Sequence, residues 1–132
     1  MKHEESPKAW RRLHPICVRP SGLPYLLKIR GEYAPETQER ILQVGIVHPD
    51  GDVYTVSRPG RHHHVIAYMA AMRRGGLRNT KRQGYVTTHG RWVDRIEGLA
   101  IATAANQIIF KHPSYRELYS EDMWESDKEY AT

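Results

Sequence analysis

The sequence predicts an α+β fold, an antiparallel sheet of hairpins with two helices packed on one face. Alternating apolar residues flank two glycine-bearing turns, two further apolar stretches have helical spacing, and the order hairpin then helix runs twice. With 132 residues, 39% of them apolar and 9% aromatic, the chain can fill one core and not two.

Residues 1–22 hold Pro7, Pro15, Pro20 and Gly22 without sustained periodicity and read as an irregular lead-in, so a single α+β domain is expected over 23–126, with 127–132 as a disordered tail. The stretch Pro24–Tyr33, PYLLKIRGEY, reads as a first strand. Leu42, Val44 and Ile46 then alternate into HPDGD, where Asp50 and Gly51 suit a tight hairpin, and VYTVS returns as its partner. After RPG a helix is predicted with Val65, Met69 and Met72 on its inner stripe, widened by Ile66 and Tyr68 and ended near Gly75. The second unit has a strand at Gly84–Thr87, a His89-Gly90 turn, a strand at Arg91–Val93 and a helix capped by Asp94 with Glu97 three residues on. Its expected inner face is Ile96, Leu99, Ala100 and Thr103. Aligning Gly45 on Gly84 superposes Val47 on Val86, Gly51 on Gly90 and Val53 on Trp92, so the chain reads as two hairpin–helix units.

Net charge is +5, unevenly spread. Residues 57–95 carry nine Lys/Arg against Asp94, whereas the chain from Pro113 onward carries two bases against six acids. The central block therefore meets an anionic partner or docks against acidic tails, its own or a neighbour's. Tyr115, Leu118, Tyr119, Met123 and Trp124 interrupt that acidic tail, so LYSEDMW is expected to be anchored by Met123 and Trp124, on this subunit or across a dimer. No window of 18 apolar residues occurs and MKHEESPKAWRR lacks the apolar centre of a secretory signal, which predicts a cytoplasmic protein with no membrane partner. Cys17, the one cysteine, is expected as a small buried hydrophobe.

Three successive histidines, His62, His63 and His64, suggest a metal until their geometry is considered. Neighbours on a helix point about 100° apart, so they cannot converge on one ion, and no HExxH or cysteine partner accompanies them. Only HPS at His112–Ser114 matches the H-x-[ST] half of a two-histidine phosphoesterase, and GxSxG, the P-loop and GxGxxG are missing. No metal, catalytic residue or cofactor is expected. Anion binding fits better: Arg58, Arg61, Arg91 and Arg95 fall where hairpins hand over to helices, and guanidinium forks suit phosphate. His62 and His63 would form a polar wall, with Tyr85 and Thr87 on one sheet face and Asp94 as cap or pocket residue. Strand alternation puts Arg91 and Trp92 on opposite faces, with Trp92 the core residue.

GRHHHVIAYMA, QGYVTTHGRWVDRIEGLAIATAANQI and LYSEDMW resemble a group of small phage and prophage proteins with the patterns RHxxI, QGF-[VL]-T-[ST]-x-G-R-[FW]-V-x-R and L-[YF]-S-ED-[LM]-[WY], over roughly residues 60–124. That pattern is similar to the anti-Thoeris sponge proteins of phages. The resemblance implies a homo-oligomeric protein that binds a cyclic ADP-ribose-type immune signal, or a cyclic dinucleotide, without cleaving it, in pockets using two subunits. Tyr85 stands where the pattern has Phe, Asp94 where some members have Asn, and Gln107 closes the matching block. The alternative is an accessory protein that tracks nucleic acid with the basic 57–95 segment.

Overall fold

The computed structural model describes residues 15–75 and 80–124. Five antiparallel strands, β1 (Ile16–Val18), β2 (Ile41–Val47), β3 (Val53–Val56), β4 (Gln83–Thr87) and β5 (Trp92–Asp94), form one sheet in the order β1-β3-β2-β4-β5. The helices are α1 (Leu23–Ile29), α2 (His62–Ala71) and α3 (Arg95–Ala104). On one face, Val65 and Met69 of α2 and Ala102 of α3 join Val44, Ile46, Tyr54, Val56, Tyr85 and Val93 in the main core. The other face is not bare: Leu23 and Leu27 of α1 bury against Val53 and Val86, with Leu42 and Trp92 beside them.

The hairpins arise where the sequence places them. Gly51 (φ 99°) and Gly90 (φ 76°) adopt the left-handed backbone that their turns require. The two units meet through β2 and β4, with Gly45 directly opposite Gly84 and Val44 opposite Tyr85. Gly45 and Gly84, which align in the repeat, thus face each other where the two units join. The indole of Trp92 lies over this glycine pair and donates from Nε1 to the Gly45 carbonyl at 3.1 Å. A Cβ on Gly84 would stand 2.0 Å from the Val93 carbonyl oxygen and 2.8 Å from the indole. Trp92 therefore packs on the sheet, and Arg91 points elsewhere.

Both sheet-covering helices end alike. Arg73 (φ 60°) and Asn106 (φ 58°) take the left-handed position after the C-cap. The next residues close the longer bond, from Arg74 N to Met69 O at 2.7 Å and from Gln107 N to Ala102 O at 2.9 Å.

Several expectations need correction. PYLLKI is helix α1 rather than a strand: Leu23 and Leu27 lie one turn apart and are both fully buried, and Pro24 occupies the first turn, where no N–H is needed. The lead-in contains β1, whose residues 16–18 pair with Val53–Thr55 of β3. Cys17 on this edge strand is exposed. A bulge between Ile41 and Gln43 shifts the β2 alternation, so Ile41 rather than Leu42 faces α2 and α3. On α2 the buried stripe is His62, Val65 and Met69, while Ile66 and Met72 are 45% and 54% exposed; the helix stops at Ala71, before Gly75. On α3 the buried positions are Gly98 and Ala102, and Ile96 is 66% exposed. Gly98 lets the helix lie directly on the Tyr85 ring, which a Cβ there would approach to 3.1 Å. Residues 127–132 lie outside the described residues.

Candidate functional site

The polar and charged residues of the structure form three groups. In the first, the acidic tail has folded back onto the basic block of the same chain. Leu118, Met123 and Trp124 join the main core, and the Trp124 indole donates to the Pro59 carbonyl at 3.2 Å. Arg58 lies over the Trp124 ring at 5.2 Å, and Arg61 donates to Ser120 Oγ at 3.0 Å and to the Trp124 carbonyl at 3.3 Å. Arg95 stacks on Tyr119 at 5.2 Å and donates to Gln83 Oε1 at 2.9 Å. The tail is fixed by Asp122, a fully buried carboxylate that accepts from the backbone N–H groups of His112 and Tyr119, from the His112 ring at 2.8 Å, and lies 3.0 Å from Lys111 Nζ. Burial alone would raise its pKa, but those donors outweigh it and hold the carboxyl below its ordinary value.

Tyr85 and His62, expected to meet ligand, belong to this core. Tyr85 is fully buried and donates from its hydroxyl to the Leu118 carbonyl at 2.7 Å, so its ring has no open face for a base. His62 packs edge-on against it at 5.3 Å, with Nε2 2.8 Å from the Gly84 carbonyl. Burial pulls the imidazole down to about 4, so at neutral pH it is uncharged and its Nε2–H donates. His63 is exposed and lies against His64 at 4.1 Å between ring centres.

The second group is an ion-pair cluster on the β4–β5 turn. Arg91 grips both oxygens of Glu39, at 2.8 and 2.9 Å, and reaches Glu97 at 2.8 Å. Thr87 Oγ1 donates to the same Glu39 at 2.5 Å. These contacts, that of Arg91 foremost, hold the Glu39 carboxyl below its usual range. Two carboxylates already compensate Arg91, which leaves little field for a phosphate. Asp94 caps α3, accepting from Glu97 N at 2.8 Å.

The third group forms a cleft of about 590 Å³. Five parts of the chain converge on it: the end of α1 (Ile29, Arg30), the start of β2 (Arg40, Ile41, Leu42), the loop after β3 (Ser57, Arg58), Thr88 after β4 and Gln107 after α3. The β2–β3 register sets Arg40 and Arg58 at the same end of the hairpin, away from its turn. Thr88 fixes Arg40 by accepting from its N–H at 3.0 Å and donating its own N–H to the Arg40 carbonyl at 2.9 Å. Gln107 clasps Ile41, accepting from its N–H at 2.7 Å and donating to its carbonyl at 2.8 Å. Arg30, Arg40 and Arg58 face one lining carboxylate, Glu32, which lies 2.9 Å from Arg30 Nε. The volume falls within the range of small-molecule sites.

Of the expected site residues, only Arg58 lines this cleft. Arg30 escaped notice because its segment reads as a strand, and Arg40 because it precedes the basic block. A usable signal was the loop SRPGR. Unit one spends five residues between β3 and α2, whereas α3 follows β5 directly, and the extra loop delivers Ser57 and Arg58 to the cleft. Among the described residues no group of three His, Cys, Asp or Glu side chains suits a metal ion, and no helix is long and apolar enough to cross a membrane.

Fold and cleft together define a small α+β protein with an arginine-lined cleft and an acidic tail docked on its own basic face. The family model for the phage T4 y16D protein matches residues 40–124, and the chain belongs to that family. The match spans β2 through Trp124, including every cleft residue except Ile29, Arg30 and Glu32. Comparisons with curated proteins and with solved structures give no match.

Proposed function

We propose that this phage-family protein is a non-catalytic binder that takes a small phosphorylated nucleotide into the Arg30/Arg40/Arg58 cleft and sequesters it unchanged. The observation that carries this reading is the charge of the cleft: three guanidiniums against one carboxylate that Arg30 already engages. Guanidinium forks favour phosphate oxygens, while Thr88, Ser57 and Gln107 supply neutral polar atoms for ribose or base edges. The resemblance to anti-Thoeris sponges supports a cyclic ADP-ribose isomer or a cyclic dinucleotide as the ligand, acting in an infected bacterial cytoplasm. The reading includes self-association, which the exposure of Ile96, Ile109, Phe110 and Tyr115, each about two-thirds open, favours.

Calorimetry with cyclic ADP-ribose isomers and cyclic dinucleotides, followed by chromatography of ligand released on denaturation, tests it. Submicromolar binding is expected, roughly −8 kcal/mol or stronger, with the ligand recovered intact. Altered ligand, or an Arg40→Glu variant that binds as well as the parent, refutes it. The nucleic-acid reading is weakened by how much of the basic block is internally paired: Arg61 with Glu121, Arg74 with Asp50 and Asp52, and Arg91 with Glu39 and Glu97. Affinity that rises with oligonucleotide length and falls steeply with salt would restore it.

A further inference from the structure

His112 differs from the other described histidines in what holds its ring. Its Nδ1 lies 2.8 Å from Oδ1 of Asp122, whose side chain has no solvent exposure. Several donors fix that residue. Oδ1 also accepts from the His112 backbone N–H at 2.8 Å, Oδ2 accepts from the Tyr119 N–H at 2.9 Å and lies 3.0 Å from Lys111 Nζ, and the Asp122 carbonyl accepts from the N–H of Ile109 at 2.7 Å. They keep the carboxyl ionised. A carboxylate can only accept, so Nδ1 carries the hydrogen and the lone pair of the neutral ring is on Nε2.

That nitrogen is presented to solvent. The His112 side chain is 46% exposed, Phe110 packs edge-on against the ring at 5.1 Å, and Nε2 has no hydrogen-bond partner among the described residues. Elsewhere Nε2 is engaged or protonated. In His62 and His89 it faces a carbonyl oxygen, at 2.8 and 2.7 Å. Nδ1 of His64 accepts from the Arg61 N–H at 2.8 Å, which puts the hydrogen on Nε2. His48 lies beside Asp50, but its Nδ1 accepts from the Asp50 N–H at 3.2 Å and its side chain is only 19% exposed.

A buried carboxylate on Nδ1 holds an imidazole in one tautomer and orientation, and it stabilises the positive charge that the ring acquires when Nε2 forms a bond. From Gly98 to Arg116 the chain has Lys111 and Arg116 and no acidic residue, which favours an anionic donor. The geometry points to His112 as a phosphoryl-accepting histidine for donors of the phosphoramidate or acyl phosphate class, with Nε2 the nucleophile and Asp122 its positioning residue. Nε2 forms a bond to phosphorus as the bond from phosphorus to the leaving amine or carboxylate breaks. The leaving group takes that electron pair, the amine departing with the protons it already bears, and the imidazolium keeps its Nδ1 hydrogen on Asp122. Neither residue lines the cleft, and the uptake does not depend on the reading given to it.

The test treats the full-length chain with potassium phosphoramidate and follows each histidine adduct by mass spectrometry under alkaline handling, which preserves the acid-labile P–N bond. His63 is the internal control, being exposed with its ring against His64 and not a carboxylate. His112 should react about fivefold faster than His63 or more, and phosphorus NMR should show the Nε2 isomer. Asp122→Asn, which keeps the shape and loses the charge, should lower the ratio of the two rates about fivefold, with circular dichroism confirming the fold. Should that variant fail to fold, the two histidines of the parent decide the matter by themselves. A smaller ratio in the parent, the Nδ1 isomer, or an unchanged ratio in folded Asp122→Asn overturns the proposal.

Discussion

At the scale of single residues, the rings of His62 and Tyr85 pack edge-on at 5.3 Å beneath the docked tail. Tyr85 and His62 sit at positions that alternation and helix phase leave open to either ligand or core, and only the docked tail decides the matter. The buried His62 gives a clear prediction. Its pKa is about 4 in the fold against an ordinary 6.5, so the unfolded chain binds a proton that the folded chain refuses. The stabilisation is complete above pH 6.5 and is lost as pH falls toward 4, a change of roughly 3 kcal/mol at 1.36 kcal/mol per pKa unit. In urea unfolding between pH 7 and 4, His62→Gln should lower stability at neutral pH and lose this part of the pH slope; parallel slopes for both proteins would contradict the assignment. Gly84 gives the second. Its missing Cβ would overlap the Val93 carbonyl oxygen, a backbone atom, whereas one on Gly45 would meet only side-chain atoms at 3.2 Å. Gly84→Ala should cost about 3 kcal/mol or more, and Gly45→Ala about 1 kcal/mol, in the midpoint of denaturant unfolding.

At the scale of elements, the hairpins and the Asp94-capped helix were legible because their signals are local: a positive φ at Gly51 and Gly90, and a carboxylate three residues before the N–H it caps. What was not legible depends on distant partners. Tyr25 and Ile29 favour a strand, yet the open face of the sheet takes Leu23 and Leu27, good helix formers, at helical spacing, and packing decides the element. The cleft was half hidden for the same reason, since it is assembled from five separated parts of the chain. Gln107 shows how such parts are tied. Its amide replaces a strand partner for Ile41 at the bulge, so Gln107→Ala leaves both an N–H and a carbonyl without their bonds. A loss of about 1–3 kcal/mol is expected in chemical denaturation, with weaker ligand binding because Arg40 precedes the loosened residue. Full stability in the variant would mean that the bulge holds itself.

At the scale of the whole molecule, the two charge blocks seen in the sequence resolve into one intramolecular interface, with arginines from the strand–helix junctions covered by the acidic-aromatic tail. Ion pairs there are partly exposed and are worth little each. The weight of the interface lies in Leu118, Met123 and Trp124, all in the main core with Tyr85, Val65 and Met69. These contacts are those of a tail that completes the fold. Removing residues 114–132 would uncover Tyr85 and strip its hydroxyl of the Leu118 carbonyl, in addition to emptying the Trp124 site. Truncation should therefore abolish cooperative unfolding and produce aggregation, not a well-folded monomer. Trp124→Ala is the gentler form of the same test. It removes a side chain that is 2% exposed, its bond to Pro59 and the surface on which Arg58 rests, at a cost of about 3–5 kcal/mol. Because Arg58 also lines the cleft, the variant should weaken binding of the proposed nucleotide even under conditions where circular dichroism shows it folded. A truncated chain that unfolds at the parent's denaturant midpoint would return the tail to the role of an external brace.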